Sequence, residues 1–180
     1  MKEDLQTIFK KNIMPKRKEI FGIDNIFAVP KIEKVTINAR VKRGSNIGEE
    51  KIFDTVKKIT GQRPIFAKAK KSISNFKIRE GATVGVKATL RGSKAMRFLD
   101  KLINVVLPRV RDFSGISESS MDGKGNLSIG IREHIVFPES ASDDMSTLHG
   151  VQITITTTAK DNEKAIKLLK ALGFPLKSKK

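Results

Sequence analysis

The chain contains no cysteine, tryptophan or tyrosine, and only two histidines, His134 and His149, among its 180 residues. Without thiols there is no disulfide, no thiolate nucleophile and no cysteine-ligated zinc. Two histidines leave almost nothing for a histidine-based metal site. The run from Gly123 to Gly130 lacks the dinucleotide-binding spacing and precedes a strand instead of opening a helix. No phosphate loop ending in Gly-Lys-Ser/Thr and no Gly-x-Ser-x-Gly elbow occurs. Asp143-Asp144 reads as a solvated turn, and His134, beside Val136 and Phe137, as a packed histidine. These residues point to no reaction, cofactor or metal. Long apolar runs are missing too: nothing approaches the roughly 18 residues of a membrane span. The segment MKEDLQTIFKK is charged throughout and has no signal-peptide apolar stretch. The expectation is a soluble, intracellular protein without enzymatic activity or membrane partner.

What is abundant is positive charge. Lys and Arg number 36 against 19 Asp and Glu, a formal net charge of +17. An excess of this size marks a polyanion binder, with nucleic acid ahead of a membrane surface. With 38% hydrophobic residues the chain can build a core, and its length suits one domain over 1–180 that buries about 70% of its unfolded surface. The charge is polarised. Residues 63–97 hold ten Lys and Arg against Glu80 alone, +9, whereas 112–149 hold seven Asp and Glu against Lys124 and Arg132, −5. One region suits phosphates and the other repels them.

Periodicity supplies the elements. Leu5, Ile8, Phe9 and Ile13 share a helical face, interrupted at Pro15, with resumption over Lys16 to Phe21. Ile52, Phe53, Val56 and Ile59 predict a helix over 49–60 that Gly61 stops. A third is expected at 94–107, before Pro108, and a fourth from Asn162 to Leu172 with Ala165, Ile166, Leu169 and Leu172 inward. Strict alternation predicts strands around 35–41, 84–91, 127–131 and 151–156, with a weaker edge strand at 64–70. Each strand has one apolar and one polar face, so helices should cover one side only. The expected class is α+β: two layers, a five-stranded, mostly antiparallel sheet with helices on one face, and a split βαβ element.

The polar sheet face carries Asn38, Arg40, Lys87, Thr89 and Arg91. Amides, hydroxyls and cations of this kind contact phosphates, ribose hydroxyls and base edges. Stacking aromatics are scarce there: of ten Phe, only Phe66 is placed on that face, which argues against an RRM-type platform. The segment Lys68 to Glu80 is too long and basic for a tight hairpin. Within it Phe76 either stacks on an exposed base or ribose among Lys70, Lys71, Lys77 and Arg79, or anchors the loop in the core.

Seven motifs, taken in order, resemble one family. They are Pro30-Lys31-Ile32-Glu33-Lys34-Val35-Thr36-Ile37-Asn38, Ile59-Thr60-Gly61-Gln62-Arg63-Pro64, the run from Lys70 to Gly81, Lys87-Ala88-Thr89-Leu90-Arg91-Gly92, Leu107-Pro108-Arg109-Val110-Arg111-Asp112-Phe113, Asp122-Gly123-Lys124-Gly125-Asn126 and Ala171-Leu172-Gly173-Phe174-Pro175. The chain resembles the bacterial large-subunit ribosomal protein L-five family from about Leu5 to Pro175. That resemblance implies a structural protein of the central protuberance, in contact with 5S rRNA, 23S rRNA and neighbouring 5S-binding ribosomal proteins. The implied 5S rRNA contacts are Lys34, Asn38, Arg40, Gln62, Arg63, Lys87, Thr89 and Arg91. A loop reaching the P-site tRNA is implied at Lys70, Lys71, Ser72, Asn75, Phe76, Lys77 and Arg79. A bridge to a basic small-subunit head protein is implied at Asp112, Asp122, Asp143, Asp144 and His149.

Three features depart from the family pattern. Ala39 to Arg43 replace a glycine-rich turn, so the strand should run longer, with Arg40 and Lys42 either adding phosphate contacts or shifting the local path. Met121 stands where an aromatic is usual, and His149 where arginine is common. The basic tail at 176–180 is expected to be flexible. An RNA-modifying enzyme, a generic RNA-binding module and an anionic-membrane binder are the competing readings; the first needs a cofactor pocket or general base, and the last an amphipathic basic helix.

Overall fold

A computed structural model describes residues 4–41, 48–76, 78–143 and 147–177. Lys42, Arg43, Lys77, Asp144 and residues 178–180 of the tail lie outside the described residues. The elements follow the expected order. Helix α1 (Leu5–Ile8) continues as a π-helical turn over Phe9–Ile13, and α2 spans Arg17–Phe21. Then come β1 (Ile32–Arg40), α3 (Glu49–Thr60), β2 (Ile65–Lys68) and β3 (Thr83–Arg91). Helix α4 (Gly92–Lys101) passes through a π-helical stretch, Leu102–Val106, into α5 (Leu107–Arg109). Strands β4 (Leu127–Ile131) and β5 (Val151–Thr157) and helix α6 (Asn162–Ala171) complete the chain.

The five strands form one sheet in the order β2-β3-β1-β5-β4. Strand β3 therefore lies between β1 and β2, as a split βαβ element requires. Strands β2 and β3 pair antiparallel, Ile65 opposite Lys87 and Phe66 opposite Val86. The Val41 N–H donates to the Val84 carbonyl at 3.1 Å, so the end of β1 meets the start of β3. That bond lies one residue past the end of β1 at Arg40; Lys42 and Arg43, where a longer strand is expected to continue, lie outside the described residues. At the other end of β1, the Thr158 N–H donates to the Lys31 carbonyl at 2.9 Å.

Alternation sorts the side chains. Val35, Ile37 and Ala39 of β1, Val86, Ala88 and Leu90 of β3, and Val151, Ile153 and Ile155 of β5 are buried. The other side of β1, β3 and β5 is mostly polar and half-buried or exposed, with Gly85 the buried exception, so helices cover one face of an α+β fold. Helix α3 places Glu49 and Glu50 in its first turn and Lys57 and Lys58 in its last, complementing its dipole. Gly61, at φ +62°, ends it in the left-handed conformation that glycine adopts without strain.

Two boundaries differ from the periodicity. The third helix runs past Pro108 to Arg109, the proline lying in its last turn directly after the π-helical stretch Leu102–Val106. In α6 Leu168 is buried and Ile166 is half exposed, so the inward face is Ala165, Leu168, Leu169 and Leu172. Asp161 caps that helix: its carboxylate accepts the Lys164 N–H at 2.8 Å, which holds its pKa below the usual range.

Contacts divide the chain into two compact units. The first comprises 1–35, 90–129 and 154–180, the second 36–89 and 130–153. In the first, Leu99, Leu102, Val106, Leu127, Ile155 and Leu168 are fully enclosed. In the second the enclosed residues include Ile37, Ile52, Val56, Val86, Phe137 and Ile153.

Candidate nucleic-acid interface

The second unit gathers most of the sequence-predicted contact set. Asn38 and Arg40 follow one another on the exposed side of β1, and Lys87 and Thr89 do so on β3. Between them stands Gly85. A Cβ on Gly85 would lie 3.0 Å from the Ala39 carbonyl oxygen and 3.4 Å from Asn38 Oδ1. Glycine there lets β1 approach closely and lets the Asn38 amide lie over the neighbouring strand. Gln62 is held at the same face: its Nε2 donates to the Thr89 carbonyl at 3.1 Å. The turn behind it is ordered by Thr60, whose Oγ1 donates to the Val56 carbonyl at 2.7 Å and accepts the Gln62 N–H at 3.3 Å. Arg63 is exposed and Pro64 buried. Lys34, half-buried on β1, and Arg91, exposed on β3, belong to the first unit.

The β2 register corrects one expectation. Residues directly opposite in an antiparallel pair share a face. Phe66 faces Val86 on the helix side and stacks on Phe53 of α3, ring centroids 4.9 Å apart. Ile65, opposite Lys87, takes the polar face instead, 59% exposed. A four-residue strand is too short for its own alternation to fix which parity faces the core.

A cavity of about 650 Å³ adjoins this set, lined by Gln62, Arg63, Lys51, Lys57 and Lys58 together with Asp54 and Asp143. Its charge is mixed, and Lys58 is engaged: its Nζ donates to Asp143 Oδ1 at 3.0 Å.

The loop between β2 and β3 carries structure of its own. Ala69 and Ala82 prolong the ladder, the Ala69 N–H donating to the Ala82 carbonyl at 2.8 Å. Ile73 and Ile78 then exchange bonds of 2.9 and 3.1 Å, and Ser72 Oγ accepts the Glu80 N–H at 2.9 Å. Asn75 and Phe76 sit at the tip, Phe76 69% exposed, and Lys70, Lys71 and Arg79 are exposed on the arms. Of the two readings for Phe76, the exposed one is observed.

The acidic set is dispersed. Asp112 and Asp122 belong to the first unit, Asp143 and His149 to the second. Asp112 is exposed at φ +54°. Asp122 orders its own turn: its carboxylate accepts the Lys124 and Asn126 N–H groups at 2.8 and 3.0 Å and the Asn126 side chain at 2.6 Å, which lowers its pKa. His149 is buried, its ring stacked on His134 at 4.1 Å between centroids. His134 Nδ1 accepts the His149 N–H at 3.4 Å, His149 Nδ1 lies 3.1 Å from the Thr147 carbonyl, and Asp143 Oδ2 lies 3.5 Å from His134 Nε2. Burial first, and for His134 also its neighbouring ring, depresses both imidazole pKa values. Among the described residues no group of three or more potential ligands could hold a metal, and no helix is long and apolar enough to cross a membrane.

Two family models match in tandem. One, for ribosomal protein L5, covers residues 25–79; the other, for the ribosomal L5P family C-terminus, covers 83–176. The chain belongs to the ribosomal protein L5 family. Relatives named large ribosomal subunit protein uL5 match it over nearly their full length. That of Halothermothrix orenii is 50% identical, covering 93% of this chain and 94% of its own. Those of Microcystis aeruginosa and Synechocystis are 47% and 46% identical, covering 98% and 99% of this chain and 100% of their own. As a member of this family the chain is a structural ribosomal protein and not an enzyme. The junction between the two matched segments falls at 80–82, at the base of the β2–β3 loop.

Proposed function

We propose that the chain is a constituent of the large ribosomal subunit, working in the cytoplasm, that binds 5S rRNA through the polar face of its sheet and attaches it in the central protuberance beside 23S rRNA and neighbouring 5S-binding proteins. One observation carries this reading: Asn38, Lys87 and Thr89 line one exposed face, Gly85 clears its floor, and Gln62 is hydrogen-bonded at its side. Hydrogen-bonding groups on rigid strands can read an RNA surface, and the flanking Arg40, Arg63 and Lys87 supply phosphate contacts. The basic loop, with Lys70, Lys71 and Arg79 exposed and Phe76 at its tip, is the proposed contact to the P-site tRNA. The proposed bridge to a small-subunit head protein draws on the acidic segment: Asp112 and Asp122 are exposed on the first unit, and in the second Asp143 is half-buried and His149 buried.

Filter retention of 5S rRNA tests the central statement. The log of affinity should fall linearly with log salt, by roughly 0.7 to 0.9 for each neutralised phosphate. Asn38→Ala or Thr89→Ala should weaken binding about tenfold, the worth of a hydrogen bond or two, with the slope unchanged. A slope that shrinks while discrimination against other RNAs persists would contradict base or ribose readout. Replacing Lys70 and Lys71 with Ala should spare 5S binding and weaken tRNA placement on the assembled subunit; equal loss of both would refute two separate surfaces.

A further inference from the structure

Among the described residues of the first unit, Ile26 and Phe27 are the large hydrophobic side chains that stand exposed, Phe27 at 96% and Ile26 at 50%. They crest a single 3-10 turn, Ile26–Ala28, between buried Phe21 and the buried pair Val29-Pro30. The turn is built to hold the ring outward. Asn25 caps it: its side-chain oxygen accepts the Phe27 N–H at 2.9 Å, and its carbonyl accepts the Ala28 N–H at 3.1 Å. Upstream, the Arg17 guanidinium donates to the Asp24 and Met14 carbonyls at 2.9 and 3.2 Å. Downstream, Lys31 is tied to Thr158 by two bonds of 2.9 and 3.0 Å. A side chain with two torsions on a backbone pinned at both ends loses little entropy on meeting a partner.

The chemistry around the turn selects the partner. The first unit holds 22 Lys and Arg against 11 Asp and Glu. Lys31 is exposed, and so is Lys160, two residues beyond the Thr158 that Lys31 pairs with. The nearest carboxylate in sequence, Asp24, is paired with Lys18. A protein hot spot wants an aromatic anchor inside a broad apolar patch. Here Ile26 is the one other large exposed apolar side chain among the described residues of the first unit, and the exposed cations Lys31 and Lys160 belong to the same unit, the combination on which an unstacked base rests.

We propose that Phe27 is a stacking platform for one unpaired base of ribosomal RNA, a contact on the first unit additional to the polar-face set of residues 38–89. It rests on the reading of the chain as an rRNA binder. Because the chain has no tryptophan or tyrosine, Phe27→Trp installs a sole emitter at the site. This variant is titrated with 5S rRNA and, separately, with 23S rRNA, while filter retention follows binding independently. Emission should be quenched in step with retention of one of the two RNAs. Phe27→Ala should weaken retention of that RNA about tenfold, with an unchanged salt slope and unchanged melting temperature, and Phe27→Leu should restore little of the loss. Wild-type retention by Phe27→Ala together with unquenched emission would overturn the inference and leave the rRNA reading standing. Failure of the unsubstituted chain to retain either RNA would overturn both. A blue shift that grows with protein concentration in the absence of RNA would assign the turn to a second copy of the chain, and so would also overturn it.

Discussion

Two stretches of the second unit treat charge in opposite ways. Along β1, β3 and the loop between β2 and β3, Arg40, Lys70, Lys71, Arg79 and Lys87 point to solvent from ordered backbone. In the segment from Arg132 to His149 part of the charge turns inward: Asp143 meets Lys58 and His134, and His134 meets His149, while Arg132, Glu133 and Glu139 stay exposed. The same economy recurs in the first unit, where Asp122 is spent on its own turn and Glu118 lies 3.7 Å from Lys170. A sum of −5 over 112–149 therefore overstates what the segment can offer a basic partner. Asp143 and Glu118 are paired with cations of the chain, while Asp112, Asp122, Glu133 and Glu139 remain exposed beside the largely exposed +9 of 63–97. The basic surface is exposed along its length; the acidic one is partly internal scaffolding.

The largest effect that would sharpen this contrast is on RNA affinity. Arg40, Arg63 and Lys87 replaced together with Ala should cost one or more decades of 5S affinity at physiological salt and lower the log–log slope by about 2 to 3. Retention of the full slope would show that these cations do not reach phosphates. Next comes pH. Because the folded pKa values of His134 and His149 lie below the roughly 6.5 of an unfolded imidazole, the unfolded chain takes up more protons as pH falls. Stability is thus complete above about pH 6.5 and declines below it. The melting temperature should drop between pH 7 and 5, and His134→Gln should flatten that drop; a profile as steep as the parent's would free the pair of this role.

Smaller again is Asp122→Ala, which removes three hydrogen bonds from an exposed turn and should cost about 1 to 2 kcal/mol by chemical denaturation. If it also abolished binding to a basic partner while Asn126→Ala, loosening the same turn, did not, the carboxylate would belong to the interface and the contrast would fail. The smallest is Lys58→Ala. Half-exposed pairs contribute about 0 to 1 kcal/mol, so a larger loss would mean that Lys58 and Asp143 hold the His134 segment in place.

Much of the fold was legible because periodicity reports burial directly. The alternation in Val35-Thr36-Ile37-Asn38-Ala39-Arg40 exposes Asn38 and Arg40 whatever the neighbouring strands are, and Gly61 marks the end of α3 by its backbone freedom. Phe27 was missed because a lone aromatic between Ile26 and Val29 reads as core; only the capped turn shows that it does not turn inward. Phe66 does not take the polar face expected for it because parity in so short a strand is set by its pairing with β3.

By itself, then, the chain's pattern of side chains determined the order of its elements, the polar face with Asn38, Lys87 and Thr89, and the polarity of its charge, since each follows from local spacing and composition. The tertiary structure alone decided the β2-β3-β1-β5-β4 order, the pairing of Gln62 with the Thr89 carbonyl, the clearance that Gly85 gives Asn38, and the burial of His149 against His134. Those are contacts between residues 15 to 47 positions apart in sequence, and local preference carries no information about which distant surfaces meet.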